Sequence, residues 1–182
     1  MKHETAVSLF EQMHPEFFEK PWIQSMAEDQ VYEELIMDLN APVTPAPEPV
    51  GDVTFGWWDG SDLDGLKAIV GEVSSNWPQY YLPDSPVYCG FCDGKIVSFC
   101  LVHDMGTFEV DGQTVRVGGP GCVGTLPAYR RRGIGLKMVE KATQILKERG
   151  FDYSYIHYTG VGPWYARLGY ELILQWDKHG LK

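Results

Sequence analysis

The apolar residues near the start of the chain recur at helical spacing. Val7, Phe10 and Met13 are three residues apart, which predicts a helix over ETAVSLFEQM. His14 and Pro15 interrupt this spacing. Because proline disrupts a helix interior, the first helix is expected to end there.

A second helix is predicted after Ser25. In the sequence SMAE, Ser25 can cap the amino end while Glu28 closes a capping box. The apolar stripe of this helix consists of Tyr32, Leu35, Ile36 and Leu39. Four prolines follow within APVTPAPEPVG, which predicts a semi-extended linker. We therefore expect residues 1–50 to form an acidic helical extension with a proline-rich linker, and residues 51–182 to form the main domain.

After the linker, the pattern alternates between strands and helices. VTFGWW predicts a strand, and SDLDGLKAIVGEV predicts a helix capped by Ser61. Two Asp-Gly pairs, Asp93-Gly94 and Asp111-Gly112, then separate three β-rich runs. Such pairs favour tight type I′ turns, so VYCGFC, IVSFCLVH with TFEV, and QTVRV with CVGTL predict an antiparallel meander.

The segment after the meander predicts a long helix, a strand, a short helix and a last strand. In the long helix, apolar residues recur at three and four positions from Gly135 to Leu146, and Gly150 ends it. Lys137 and Glu140 lie on the face expected to contact water. The β-rich YSYIHYT, the helical PWYARLG and the strand YELILQW follow. The fold class is therefore α+β, a mixed α/β domain.

Charge is distributed unevenly along this acidic chain. The net charge is −10 over 182 residues, and residues 1–50 carry ten acids against two bases. Between Val115 and Gly150 the sign reverses, because eight Lys or Arg residues oppose Glu140 and Glu148. A local basic patch in an acidic protein indicates an anionic ligand and argues against a nucleic-acid partner, which needs a broader positive surface.

The remaining composition excludes several classes of protein. No apolar stretch approaches the ~20 residues that a membrane span needs, and MKHETAVSLFEQ lacks a signal-peptide pattern, so we expect a cytoplasmic protein without a membrane partner. Four cysteines are too few for a disulfide scaffold. Cys89 and Cys92 form a CxxC inside a predicted strand, where residues three apart point to opposite faces. Because the five histidines are also scattered, no metal site is predicted.

The densest run of glycines, GGPGCVGTLPAYRRRGIG, contains three consecutive arginines and precedes the long helix. A helix amino terminus exposes about four unpaired N–H groups and a partial positive charge, so it can hold an anion. Gly133 and Gly135 let a phosphate approach the backbone, and flanking arginines add charge-assisted hydrogen bonds. Two known phosphate loops do not fit. Thr125 and Leu126 stand where a Walker A loop needs other residues, and GIGLKM lacks the third glycine of a dinucleotide fingerprint.

The segment RRRGIG, placed after a strand that ends in TLP, resembles the GCN5-related N-acetyltransferase (GNAT) family. Arg130, Gly133 and Gly135 match the family's Arg-x-x-Gly-x-Gly motif, and WYARLGY matches its aromatic pair and Leu-Gly-aromatic turn. Members of this family transfer an acetyl group from acetyl-coenzyme A to an amine. Tyr158 stands where many members have Asn, and residues 1–50 match nothing in the common family core.

The resemblance implies a fold and a cosubstrate. The fold is the GNAT fold, a central, mostly antiparallel twisted sheet that splays between the family's fourth and fifth strands and is flanked by helices. The cosubstrate is acetyl-coenzyme A. Its pyrophosphate is expected to contact the backbone N–H groups of Arg130, Arg131, Arg132, Gly133, Ile134 and Gly135. Its pantetheine arm is expected to pair with the strand edge at Val123, Gly124 and Thr125. Amides of that edge can also polarise the thioester carbonyl.

Tyr165 is the implied general acid. A phenol, with a reference pKa of about 10, can protonate the leaving thiolate while staying neutral at pH 7. The alternative is that Trp164 and Tyr165 only pack a short helix. The candidates for the general base, which lie at or near strand ends, are His103, Asp104 and His157, and a water chain is the alternative. Cys122 either forms an acyl-enzyme or is a small buried cysteine.

The sequence contains few signals for the identity of the amine that accepts the acetyl group. The aromatic and acidic residues of SSNWPQYYLPDSP either bind a cation with an apolar body or pack against the amino-terminal helices. These residues are Trp77, Tyr80, Tyr81 and Asp84. The acidic extension either closes over the acceptor cleft or forms a homodimer contact. We expect a small cationic or aromatic primary amine as the acceptor. A peptide or protein acetyltransferase and a non-catalytic module that binds acyl-coenzyme A stay open as alternatives.

Overall fold

One eight-stranded sheet organises the protein in the computed structural model, which describes residues 1–182. The strands are β1 (Tyr32–Asp38), β2 (Thr54–Trp57), β3 (Val87–Cys92), β4 (Lys95–Val110), β5 (Gln113–Thr125), β6 (Tyr153–Thr159), β7 (Glu171–Asp177) and β8 (Gly180–Leu181). Their order in the sheet is β2-β3-β4-β5-β6-β1-β7-β8. All neighbours are antiparallel except β5 and β6, which are parallel. The mixed, mostly antiparallel fold expected from the sequence is confirmed.

Five helices cover both faces of this sheet. They are α1 (His3–Met13), α2 (Pro21–Gln24), α3 (Leu63–Val73), α4 (Ile134–Glu148) and α5 (Gly162–Ala166). The helices α4 and α5 pack on one face, where Met138 and Leu168 join the main apolar cluster. The helices α1 and α3 pack on the other face, through Leu9 of α1 and Leu66 of α3. No helix is long and apolar enough to cross a membrane.

The two predicted hairpin turns are confirmed. Asp93 and Gly94 have φ angles of 50° and 73°, and Asp111 and Gly112 have φ angles of 49° and 78°. Type I′ turns need positive φ at both central residues, and Asp-Gly is a sequence that tolerates this. These turns join β3 to β4 and β4 to β5, which form the predicted meander.

The helix predicted after Ser25 is wrong. Ser25 instead follows the last residue of α2, and the proposed apolar stripe lies in β1, between β6 and β7, except for Leu39, which directly follows β1. Leu35 packs with α4, whereas Ile36 packs with α1, so neighbouring residues are buried on opposite faces. A strand that is buried on both faces has a continuous apolar run, which periodicity alone cannot distinguish from a helix. The predicted domain boundary near Val50 stays a prediction. The strand β1 precedes that boundary in sequence but belongs to the sheet of the main domain.

The sheet splays between β5 and β6. These strands pair only at Val117 with Tyr153 and at Gly118 with Ser154, and the later residues of β5 form no ladder with β6. They correspond to the fourth and fifth strands of the implied family fold, so the expected splay is confirmed. The divergence leaves one edge of β5 open toward α4 and α5.

Capping and charge differ from the prediction at two helices. Asp62, not Ser61, caps α3, because its Oδ1 accepts a hydrogen bond from the Gly65 N–H at 2.8 Å.

In α4 the apolar stripe is confirmed, but Lys137 is only 7% exposed instead of facing water. Its Nζ lies 2.9 Å from Glu140 and 2.8 Å from Glu48, and these carboxylates raise the pKa of Lys137. This contact holds the proline-rich segment against α4.

Candidate functional site

A cavity of about 710 Å³ opens where β5 diverges from β6, between the amino end of α4 and α5. Its lining includes Tyr165 together with every residue predicted to bind the cosubstrate. Those residues are Val123, Gly124, Thr125, Arg130, Arg131, Arg132, Gly133, Ile134 and Gly135. The splayed strands and the Arg-Gly run therefore meet in one place.

The amino end of α4 presents a row of unpaired backbone donors. The N–H groups of residues 131–136 donate no hydrogen bond within the chain, and no side chain caps the helix. Arg131 and Gly133 have φ angles of 63° and 81°, and alternation of left-handed with right-handed residues turns successive N–H groups toward one side. No acidic residue lies in the first turn. This end of α4 therefore suits an anion.

The arginines of the run have different roles. Arg130 donates from Nε to the Thr125 carbonyl at 3.0 Å, which ties the loop to the end of β5. Arg132 donates to the Ala128 carbonyl at 3.2 Å. Arg131 makes no side-chain hydrogen bond, and none of the three forms an ion pair. All three are exposed, so an incoming anion meets positive charge that no carboxylate neutralises.

The two glycines beside β5 are needed for close packing. A Cβ on Gly135 would lie 2.9 Å from Oγ1 of Thr125 and 3.6 Å from the Trp164 ring. A Cβ on Gly124 would collide with the Phe99 ring. Gly135 therefore lets α4 approach the end of β5, and Gly124, which lies in β5, leaves room for the Phe99 ring of β4.

A β-bulge shapes the open edge of β5. Phe99 pairs with Gly124 and Leu101 with Gly121, so two residues of β5 oppose one residue of β4. Cys122, in the bulge, has a φ of 46°. A bulge disrupts the ladder and bends the strand, and here it does so where the strand borders the cavity.

The Cys122 thiol is not activated. Burial raises its pKa to about 11, so the thiol stays protonated at neutral pH. The Cys122 carbonyl accepts a hydrogen bond from the Tyr81 hydroxyl at 3.0 Å. This environment agrees with a small, partly buried cysteine and gives no support to an acyl-enzyme.

Tyr165 reaches the cavity from α5. Its side chain is 7% exposed and packs against the rings of Trp164 and Tyr170, with centroids 4.8 and 5.9 Å away. Burial, and next the neighbouring Tyr170 hydroxyl, raise its pKa. The phenol therefore keeps its proton across the neutral range and can donate it.

The candidates for the general base do not line this cavity. His103 lies in β4 opposite Gly119, on the face that α1 and α3 cover, and burial lowers its pKa. Asp104 forms an ion pair with Arg116 at 2.6 Å, which lowers the pKa of the carboxyl. His157 bonds through Nδ1 to Glu34 at 2.9 Å. The structure therefore does not bring these three residues to Tyr165.

The residues expected to bind the acceptor are also outside the cavity. Trp77 and Tyr81 pack in the apolar cluster beneath α3. Tyr80 and Asp84 are exposed. None of the four residues lines the cavity, and both interpretations of this segment stay predictions.

Two parts of the lining were missed in the sequence. Pro47, Glu48 and Val50 of the proline-rich segment border the cavity, and the Val50 N–H donates to the Arg132 carbonyl at 2.8 Å. Arg167 of the WYARLGY segment adds a further cation. The sequence signal for Arg167 was its position inside the matched WYARLGY segment. No local pattern linked the proline-rich segment to α4.

Comparisons with known proteins agree with this architecture. A family model described as an acetyltransferase (GNAT) domain matches residues 67–173, more than half of the chain. A GCN5-related glucosamine N-acetyltransferase region of a fungal multi-domain beta-N-acetylglucosaminidase is 23% identical with a TM-score of 0.65, over 82% of this chain and 20% of that one. No curated protein matches the sequence.

Two bacterial structures are also similar. A GCN5-related N-acetyltransferase from Kribbella flavida is 24% identical with a TM-score of 0.57, over 81% of this chain and 56% of that one. A GCN5-related N-acetyltransferase from Sphaerobacter thermophilus is 20% identical with a TM-score of 0.59, over 94% of this chain and 54% of that one. The chain thus spans a fifth of the fungal protein and just over half of each bacterial one. At these identities the likeness shows the fold.

Proposed function

The chain belongs to the GNAT acetyltransferase family, and we propose that it transfers the acetyl group of acetyl-coenzyme A to a primary amine. The acceptor in this proposal is a small cationic or aromatic amine that attacks directly in a ternary complex. One observation carries the proposal. A single cavity is lined by the unpaired amides at the start of α4, the open edge of β5 and the Tyr165 side chain.

The residues of the cavity fit acetyl-coenzyme A. The N–H groups of residues 131–136 and the unpaired charge of Arg131 suit its pyrophosphate, because a helix amino end without a cap or an acid favours an anion. The edge at residues 123–125, which β6 does not cover, can pair with the amide groups of the pantetheine arm. Arg167 supplies additional positive charge at the cavity wall.

The chemistry assigned to the chain is proton donation and polarisation. Bound acetyl-coenzyme A supplies a thioester, whose C–S bond breaks as the amine nitrogen bonds to the carbonyl carbon. The amides of β5 stabilise the negative charge on the carbonyl oxygen, and the Tyr165 hydroxyl gives its proton to the leaving sulfur. Because His103, Asp104 and His157 lie elsewhere, water accepts the proton that the amine loses, and water returns a proton to the Tyr165 oxygen.

Titration calorimetry tests cosubstrate binding. Acetyl-coenzyme A is expected to bind with micromolar affinity that weakens from low to moderate salt, because the contacts are partly ionic. Replacing Arg131 and Arg132 together by Gln is expected to weaken binding about thirtyfold, since each charged contact contributes on the order of 1 kcal/mol at an exposed site. Lys67→Gln in α3, which removes a cation outside the cavity, is the matched control and should bind as the parent does.

The outcomes separate the alternatives. No binding at millimolar acetyl-coenzyme A contradicts the proposed cosubstrate. Binding followed by release of coenzyme A with a small amine, such as glucosamine or an aromatic amine, supports the proposed activity. Release only with peptides indicates a peptide acetyltransferase. Binding without release for any acceptor indicates a non-catalytic module.

A further inference from the structure

Three titratable side chains meet on the face of the sheet opposite α4 and α5. His14 follows α1, Glu34 lies in β1, and His157 lies in β6. One nitrogen or carboxylate oxygen from each lies within 4.8 Å of those of the other two. The two imidazole rings stack with centroids 4.0 Å apart, and Nδ1 of His157 lies 2.9 Å from both oxygens of Glu34.

Polar atoms of this cluster are buried. Glu34 is 0% exposed and accepts hydrogen bonds from Nε1 of Trp176 at 2.6 Å and from the Tyr158 N–H at 3.2 Å. Nε2 of His14 is buried without any hydrogen-bond partner. A buried polar group without a partner is costly, so native structures rarely contain one without a reason. Here the unpaired nitrogen stands beside a buried carboxylate and a second imidazole.

We propose that His14, Glu34 and His157 bind one divalent transition-metal ion, with Zn²⁺ as the expected ion. Two imidazole nitrogens and one carboxylate oxygen are a ligand set that Zn²⁺ uses, with a fourth position left for water. An imidazole whose proton is on Nε2 offers the lone pair of Nδ1 to a metal ion. The nitrogen–oxygen separation of 2.9 Å is that of a hydrogen bond. Two tetrahedral ligands about 2.0 Å from one zinc ion lie about 3.3 Å apart, so this pair would have to open slightly to take up the ion.

The surroundings meet two further requirements of a metal site. The hydrogen bonds from Trp176 and Tyr158 fix the orientation of the Glu34 carboxylate, as outer contacts do for metal ligands. His14 also lines a surface cavity of about 230 Å³, which gives an ion access.

The proposed role is to attach the amino-terminal segment to the sheet. The ligands come from positions 14, 34 and 157, so one ion would join the end of α1 to the central strands β1 and β6. This site is independent of the acetyl-transfer cavity, which lies on the other face. It also reverses the expectation of no metal, which was based on histidine spacing along the sequence.

Zinc titration of the full chain without an affinity tag tests the site. After treatment with EDTA and removal of the chelator, ZnCl₂ is expected to bind at one equivalent with micromolar or tighter affinity. At a hundredfold excess over Kd the Tm is expected to rise by about 5–10 °C. Co²⁺ is expected to give the visible absorption of a tetrahedral or five-coordinate site.

His14→Phe is the informative variant. Phe keeps an aromatic ring between Phe10 and Phe17, whose centroids lie 5.1 and 5.5 Å from that of His14, but it offers no ligand. Zinc affinity is expected to fall about 100-fold or more. His179→Phe is the matched control, because His179 pairs with Glu28 at 2.9 Å on the surface without a third ligand, and it should bind zinc normally.

Several results overturn the proposal. These are no saturable zinc binding by the parent chain, equal affinity in His14→Phe, or equal loss in His179→Phe. If His14→Phe does not fold, His14→Gln replaces it, and the same loss of zinc and cobalt binding is required. Titration calorimetry with acetyl-coenzyme A on the same zinc-free samples tests the cosubstrate cavity separately.

Discussion

Replacing Tyr165 with Phe is expected to lower kcat about 10²- to 10⁴-fold, the usual contribution of a general acid. The change removes one hydroxyl and keeps the ring that packs against Trp164 and Tyr170. Steady-state release of coenzyme A, with the best acceptor from the amine screen, measures this loss. The Kd of acetyl-coenzyme A should stay within about twofold, because cosubstrate binding is assigned mainly to the ends of β5 and α4.

Tyr153→Phe is the matched control for this experiment, since Tyr153 lies in β6 and does not line the cavity. Its kcat should be unchanged.

The dependence of kcat on pH tests the role of Tyr165 a second time. Because the pKa of Tyr165 is raised, its hydroxyl stays protonated up to at least its ordinary value of about 10, and kcat should show no alkaline loss below that value. Unchanged turnover in Tyr165→Phe would remove the acid assignment.

Replacing Gly119 with Ala is expected to lower the free energy of unfolding by more than about 3 kcal/mol. A Cβ at this position would collide with the backbone carbonyl oxygen of Tyr155 and approach the Met105 side chain at 3.1 Å. The carbonyl belongs to β6, so relief requires β5 and β6 to separate. Such a separation would break the two paired positions that hold these strands together, which lie at and next to Gly118.

Urea unfolding followed by circular dichroism measures this effect. Gly160→Ala is the control, because no atom lies within 4 Å of its added Cβ, and its stability should change by less than about 0.5 kcal/mol. A Gly119→Ala protein of nearly parental stability would contradict the close approach of β5 and β6. A protein that fails to fold agrees with it when Gly160→Ala folds.

Local signals predicted most of the sheet and the place of the Arg-Gly run at the start of α4. The Asp-Gly pairs specify their turns through positive φ, and the apolar spacing of α4 marks its buried face. The Arg-Gly run adds a chemical signal, since arginines at an uncapped helix start favour an anion. In each case the physical cause acts between residues that are near in sequence.

The errors have long-range causes. The sequence of β1 predicts a helix because helices cover both faces of the sheet, which removes the alternation typical of a half-exposed strand. Lys137 was placed in water because its partner Glu48 lies far away in sequence. The catalytic role of His157 stays a prediction, but its contact with Glu34, 123 residues away, is likewise one that no local pattern indicates.

The position of β1 affects how the chain folds during synthesis. Its partners Thr159 of β6 and Trp176 of β7 lie more than about one hundred residues downstream. The meander of β3, β4 and β5 can pair as soon as it emerges, whereas β1 must wait for nearly the whole chain, and such non-local pairing is slow. Until then its backbone donors and acceptors are open to pairing with other chains. A ribosome-bound or carboxy-terminally truncated form therefore exposes a strand that the finished protein buries at its centre.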